Sequence, residues 1–184
     1  KSSENDLGME QKIFSHVANF TGYMKIVVRH FAGLPTGMRI LDLPAGNGRL
    51  ADALRGMGHE VLCGDINGER PDYHHVDMAC PLPFADGEFD AAVCLEGVEH
   101  LVDPARFIAE ITRVVRSGGV IVLSTPNVLH LYSRLQFLFT GTLHQFNPAA
   151  VPCFTEGQNA DRGHISPLSY HQLRFLFEEQ GARV

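Results

Sequence analysis

Residues 39–50, Arg-Ile-Leu-Asp-Leu-Pro-Ala-Gly-Asn-Gly-Arg-Leu, constrain the fold more than any other stretch of the chain. Arg39 to Leu43 reads as a short apolar strand carrying one acid, Asp42. Pro44 to Gly48 is a turn of small residues, and a helical pattern begins near Arg49. A strand, a tight glycine turn and a helix N-terminus make a site of the nucleotide type. The bare turn admits a ligand to the backbone, and the helix start leaves N–H groups unpaired.

The same strand–helix unit then repeats along the chain. Leu50 to Met57 predicts a helix ending at Gly56 or Gly58. Glu60 to Gly64 predicts a second strand with Asp65 at its end, and Tyr73 to Val76 a third that closes on Asp77-Met78. After a loop over 81–88, Phe89 to Leu95 is a nearly unbroken apolar run, as expected of a strand covered on both faces. Asp103 can cap the next helix with Pro104 at its first position. Its inner stripe is Phe107, Ile108, Ile111, Val114 and Val115, and Ser117-Gly118-Gly119 ends it. Val120 to Ser124 reads as a fifth, fully apolar strand. This alternation predicts an α/β fold, a Rossmann-like doubly wound sheet, mostly parallel, with right-handed crossovers.

The flanks are helical. From Met9 to Phe31 the apolar positions recur at helical spacing, with Gly22 dividing two helices. Asn127 to Phe139 predicts a helix whose Phe137-Leu138-Phe139 end reads as a buried packing face. Ser169 to Gln180 predicts a last helix before Gly181. Residues 140–167 form a connection of the length usually found in functional lids.

Composition narrows the function. At 184 residues and 45% hydrophobic, one domain with a sizeable core is the simplest organisation. A net charge of −6 without a dense Lys/Arg run argues against nucleic acid as a partner. Cys63, Cys80, Cys94 and Cys153 are scattered without a CxxC pair, as reduced and mostly buried thiols of a cytoplasmic protein would be. No apolar run approaches the ~20 residues that span a bilayer. There is no signal peptide, and Lys1 without a preceding Met reads as a boundary.

Asp42, Asp65 and Asp77 fall at the C-terminal ends of three successive strands, the edge at which open parallel sheets bind ligands. A carboxylate after the second strand suits a ribose diol. One just before a glycine turn suits a ligand bearing a cationic amine and suits a pyrophosphate poorly. The G-x-G-x-x-G spacing of a dinucleotide fingerprint is absent. In this order the motifs resemble those of the class I S-adenosylmethionine-dependent methyltransferases, from about Arg39 to Asn127 and more weakly to the end. Asp42 to Gly48 looks like the acidic glycine-rich first motif, with Pro44 where the family usually has a glycine. Asp65 matches the ribose-binding acid, Asp77-Met78 the segment beside the adenine, and Pro81 to Asp90 the entry to the fourth strand. Arg113 to Gly119 resembles the helix end before the fifth strand.

The resemblance implies methyl transfer from S-adenosylmethionine to a small-molecule acceptor, most simply at oxygen. It implies cofactor contacts from Asp42, Pro44, Ala45, Gly46, Gly48, Asp65, Ile66, Asp77, Met78 and Leu95. It divides the domain into cover helices (1–37), a cofactor-binding core (38–127), and an acceptor lid with the last helix (128–184). Proline at position 44 fits a turn with negative φ and would defeat one that needs positive φ. The family completes its sheet with an antiparallel hairpin, and this sequence ends before it. A fifth strand so left presents an edge able to pair with a second copy or a partner subunit.

Leu95-Glu96-Gly97-Val98-Glu99-His100 follows the fourth strand, where a methyl acceptor would sit. Glu99 and His100 are the expected catalytic pair. No metal is assigned from the sequence. The candidates for a divalent cation are Glu96, Glu99 and His100, on one face of a helical turn, with His164 as a fourth ligand. Ubiquinone-pathway and small-RNA 2′-O-methyltransferases carry a similar Glu-x-x-Glu-His pattern. Of the other histidines, His74 or His75 is expected to be buried, and His130, His144 and His171 to be ordinary surface or loop residues. Two other classes stay open: a catalytically silent methyltransferase-like subunit that binds a partner, and an NAD-dependent oxidoreductase, which the missing third glycine disfavours.

Overall fold

A computed structural model describes residues 20–68, 70–146 and 163–184. The elements run α1 (Gly22–Phe31), β1 (Arg39–Asp42), α2 (Arg49–Gly56), β2 (Glu60–Asp65), β3 (His74–His75), β4 (Phe89–Leu95), α3 (Pro104–Val114), β5 (Val115–Ser124), α4 (Leu131–Thr140) and α5 (Tyr170–Glu179). The five strands form one sheet in the order β3-β2-β1-β4-β5, and every pairing is parallel. This is the expected α/β architecture.

The apolar runs of β1 and β4 have a direct structural reason. Successive side chains point to opposite faces of a sheet, and both faces are covered. Ile40, Ala91 and Val93 pack with Val27 and Phe31 of α1 and Leu50, Ala51 and Leu54 of α2. Their neighbours Leu41, Ala92 and Cys94 pack with Phe107, Ile108 and Ile111 of α3 and Phe177 of α5. The caps fall where the sequence puts them. Asp103 accepts from the Arg106 N–H at the start of α3, and Ser169 and Gln172 close a reciprocal capping box on α5.

Several boundaries differ from expectation. β5 begins at Val115 and not at Val120, because Val115 pairs with Phe89 while Val120 pairs with Ala91, so that residues 116–119 loop out of the ladder. Gly118 takes the left-handed conformation this needs, at φ 73°, and the Arg116 guanidinium anchors the loop on Asp90 at 2.6 Å. β5 is only half-buried beyond that point, since β4 is its one neighbour among the described residues. α4 starts at Leu131, after an Asn127 side chain that accepts from the Leu129 N–H in a local turn. Its Leu131, Leu138 and Phe139 are exposed, against the expected packing face. Both His74 and His75 are exposed, because β3 is a two-residue edge. The first predicted N-terminal helix and Cys153 lie outside the described residues. Among those residues no helix is long and apolar enough to cross a membrane.

Candidate functional site

β1 is flanked by β2 on one side and β4 on the other, so the chain reverses its progress across the sheet there. The crevice at the C-terminal ends of β1 and β4 is the place where such a sheet takes a ligand. The glycine turn enters it directly. The Ala45 N–H donates to the Gly64 carbonyl (2.9 Å) and the Gly48 N–H to the Ala45 carbonyl (3.0 Å), which ties the turn to β2 and to itself. Positive φ falls on Gly46 (51°) and Gly48 (73°) and not on Pro44, so proline occupies a position it tolerates. The Pro44 ring faces Gly97 across the crevice: a Cβ on Gly97 would stand 2.6 Å from Pro44 Cδ and 3.3 Å from Met78 Cε. Pro44, Met78 and Gly97 therefore meet. Gly48 is the N-cap of α2 and has no side chain to cap it, and the Asn47 Oδ1 accepts from the Arg49 N–H at 3.1 Å instead.

The acids differ in their surroundings. Asp42 is buried, and among the described residues its Oδ2 has no hydrogen-bond partner. Burial holds its carboxyl well above the usual range, the Asp65 carboxylate adds to this, and Arg55 opposes it. Asp65 is also buried, but its Oδ2 accepts from the Gly46 N–H and its Oδ1 from the Asn67 N–H, each at 2.9 Å. Asp77 is exposed and accepts from the Ala79 N–H at 2.8 Å. Ile66 is exposed beside Asp65, and Leu95 is half-buried at the end of β4.

A second cluster stands beyond β4. Val98–His100 is a single 3-10 turn. It brings one ligand-competent atom each from Glu99, His100 and His164 within 4.8 Å of one another. His164 arrives because the Ile165 and Ser166 N–H groups both donate to the Glu99 carbonyl, at 3.0 and 2.9 Å, while the Ser166 hydroxyl donates to the Leu101 carbonyl. Phe146 packs on its ring. His100 Nδ1 is 3.1 Å from the Gly163 carbonyl, which can only accept, so Nδ1 is the donor of this bond. The Glu99 side chain is fully buried, and among the described residues neither carboxylate oxygen has a hydrogen-bond partner. Burial pushes its carboxyl up to about 7, and the Glu96 carboxylate adds to the rise. The buried Thr125 hydroxyl is near enough to temper that rise without completing a hydrogen bond.

Glu96 departs from the sequence expectation. It does not share a helical face with Glu99 and His100. It takes a left-handed backbone at φ 51°, and its Oε1 accepts from the Ser124 hydroxyl at 2.7 Å, which ties it to β5 and leaves it outside the three-residue cluster. Thr125 and Tyr73 are polar groups at the site that sequence reasoning missed. Thr125 directly follows β5, so the strand-end rule that found the acids could have found it. His130 is more than a surface residue: its Nδ1 accepts from the Ser133 N–H as the cap of α4, and its ring lies 5.4 Å from that of His144.

Comparison with known proteins identifies the family and the fold. A family model described as "Methyltransferase domain" matches residues 15–184. The ubiquinone biosynthesis O-methyltransferase of Aromatoleum aromaticum is 34% identical over 173 residues, covering 79% of this chain and 73% of that protein. The protein of the same description from Pseudomonas aeruginosa is 36% identical over 173 residues, covering 77% and 72%. In fold, the chain is similar to the 1,6-didemethyltoxoflavin-N1-methyltransferase of Burkholderia thailandensis, solved with bound 1,6-didemethyltoxoflavin and S-adenosylhomocysteine. That match has a TM-score of 0.60 at 15% identity and covers 93% of this chain and 70% of the other.

Proposed function

This chain belongs to the class I S-adenosylmethionine-dependent methyltransferases, and from that premise we propose that it methylates an oxygen of a small-molecule acceptor beside a divalent cation held by Glu99, His100 and His164. One observation carries the cation: a fully buried carboxylate whose two oxygens have no hydrogen-bond partner among the described residues, set among two imidazoles. An unpaired buried carboxylate is costly, and a cation removes the cost. Two imidazoles and a carboxylate form a donor set suited to a divalent transition metal or zinc. The O-methyltransferase relatives support oxygen as the acceptor atom.

Bound S-adenosylmethionine supplies a methyl group made electrophilic by its sulfonium. Asp42, whose Oδ2 has no hydrogen-bond partner among the described residues, suits the cofactor's ammonium. Asp65 keeps lone pairs for the ribose hydroxyls after accepting from Gly46 and Asn67. Pro44, Ala45, Gly46 and Gly48 shape the turn against which the cofactor lies, and Ile66, Asp77, Met78 and Leu95 border it. The cation supplies Lewis acidity toward the acceptor oxygen. The Gly163 carbonyl accepts the Nδ1–H of His100, which assigns Nε2 the role of ligand or base. A second reading, in which Glu99 and His100 work without metal as an acid–base pair, is favoured by the Glu99 carboxyl at about 7, where it exchanges protons near neutrality.

The two readings separate in one assay. Methyl transfer to a catechol is followed by mass spectrometry with and without EDTA, with metal content measured in parallel. The cation reading expects at least a tenfold loss in EDTA, regained on adding Mn²⁺ or Zn²⁺. Transfer indifferent to EDTA in metal-free protein supports the acid–base pair, and methylation found only on nitrogen or carbon probes overturns the oxygen acceptor.

A further inference from the structure

Residues 66–73 join β2 to β3, two parallel neighbours, where such a crossover usually takes a dozen residues or more and a helix. Among the described residues no helix covers it. Its side chains reach back onto the glycine turn instead. The Tyr73 hydroxyl donates to the Gly46 carbonyl at 2.8 Å, while the Gly46 N–H holds Asp65. Arg70 forks onto Asp52 of α2, Nη1 to Oδ2 at 2.7 Å and Nη2 to Oδ1 at 3.0 Å, and its guanidinium lies 5.9 Å from the centre of the Tyr73 ring. Asp72 joins Arg70 (3.3 Å) to Arg55 (2.9 Å), and Arg55 donates to the Val61 carbonyl of β2 at 2.8 Å. Both latching side chains rest on the bare face of Gly48. A Cβ there would stand 2.6 Å from the Tyr73 hydroxyl and would collide with Arg70 Nη1.

We propose that Tyr73 and the Arg70–Asp52 fork are a latch that fixes the backbone of the cofactor turn, which makes them positioning residues for S-adenosylmethionine affinity. This rests on reading the turn as the cofactor site. The interactions close a ring through β2, the crossover, α2 and the turn. The ion pair is half-exposed, and such pairs add little to stability. A bidentate fork nevertheless fixes geometry. The latch therefore acts on where the Gly46 carbonyl and N–H point, and not on whether the domain folds. Asp65 is included in its reach, because the Gly46 N–H and carbonyl are held from both sides of the turn.

Calorimetric titration of S-adenosylhomocysteine into wild type, Tyr73→Phe and Asp52→Asn tests this, with steady-state kinetics in parallel. Each variant is expected to bind roughly fivefold more weakly, the fold-change of one net hydrogen bond. KM for S-adenosylmethionine should rise to match, with kcat and the acceptor KM unchanged. Glu178→Gln, which breaks an exposed ion pair on α5, should leave affinity as in wild type. Wild-type affinity in both latch variants, or a loss of kcat without a rise in KM, overturns the latch. Tyr73→Phe removes a single oxygen and decides the matter even where Asp52→Asn fails to fold. A wild-type protein that does not bind the probe refutes the cofactor reading instead.

Discussion

Asp42→Asn is expected to weaken S-adenosylmethionine binding about a hundredfold while leaving the unliganded protein at least as stable as wild type. The loss comes from removing one partner of a buried charge pair, the ammonium of the cofactor being the other. The stability comes from the empty site's electrostatics. Asp42 is buried beside a second carboxylate, and its carboxyl is held well above the usual range. A raised carboxyl means that the folded state binds the proton more tightly than the unfolded state. This group's contribution is therefore complete below the unfolded pKa and is lost as pH rises through the folded one. Asparagine removes that loss, so thermal melts of the variant should fall less with rising pH than those of wild type. The cofactor's positive charge favours the ionised acid, so cofactor binding should release a proton at pH values where Asp42 is still protonated. Calorimetry in buffers of different ionisation enthalpy would read that proton. Binding of normal strength in Asp42→Asn would remove Asp42 from the cofactor site.

Glu99→Gln is expected to lower kcat by about two to three orders of magnitude, with cofactor affinity unchanged. The substitution keeps shape and volume while it removes the charge and turns one acceptor oxygen into an N–H donor. Its stability signature has the same sign as that of Asp42. The Glu99 carboxyl rises from 4.5 to about 7 on folding, so its contribution is present below pH 4.5 and is lost as pH climbs through 7. Metal-free wild type should lose stability across that window, and Glu99→Gln should lose less. Activity runs the other way, because the ionised carboxylate is the form that serves as ligand or base. Without added metal the pH–rate limb should lie near 7, and saturating cation should move it lower, since cation and proton compete for the same oxygens. A Glu99→Gln enzyme with wild-type kcat would place the chemistry elsewhere.

Much of the fold was legible because its signals are local. The unbroken apolar runs of β1 and β4 reflect cover on both faces, and Asp103-Pro104 and Ser169 mark their helix starts through caps made within three residues. The acids at the strand ends were legible for the same reason, lying at or just past the end of an obvious strand. What stayed hidden depends on distant pairing. The start of β5 at Val115 is fixed by its partner Phe89 and by an anchor on Asp90, neither of which a helix-like stripe reveals. The three-residue turn at Val98–His100 is too short to show a period, so Glu96 looked like its neighbour in function when its backbone turns the other way. His164 was already a ligand candidate from the sequence, but its route to Glu99, through backbone bonds from Ile165 and Ser166 across more than sixty positions, is one that no spacing rule encodes. Tyr73 read as the first residue of a strand, and its hydroxyl bond to Gly46 appears only once β2 and α2 are docked.

The proposed function places the cofactor in the crevice between β1 and β4 and a cation on Glu99, His100 and His164 next to the acceptor. A crystal structure of the chain grown with S-adenosylhomocysteine and Mn²⁺, with anomalous data collected for manganese, tests both halves at once. The expected result is the cofactor amine on Asp42, the ribose on Asp65, and one anomalous peak among the Glu99, His100 and His164 side chains. Cofactor bound away from the glycine turn, or manganese bound only elsewhere, would contradict it.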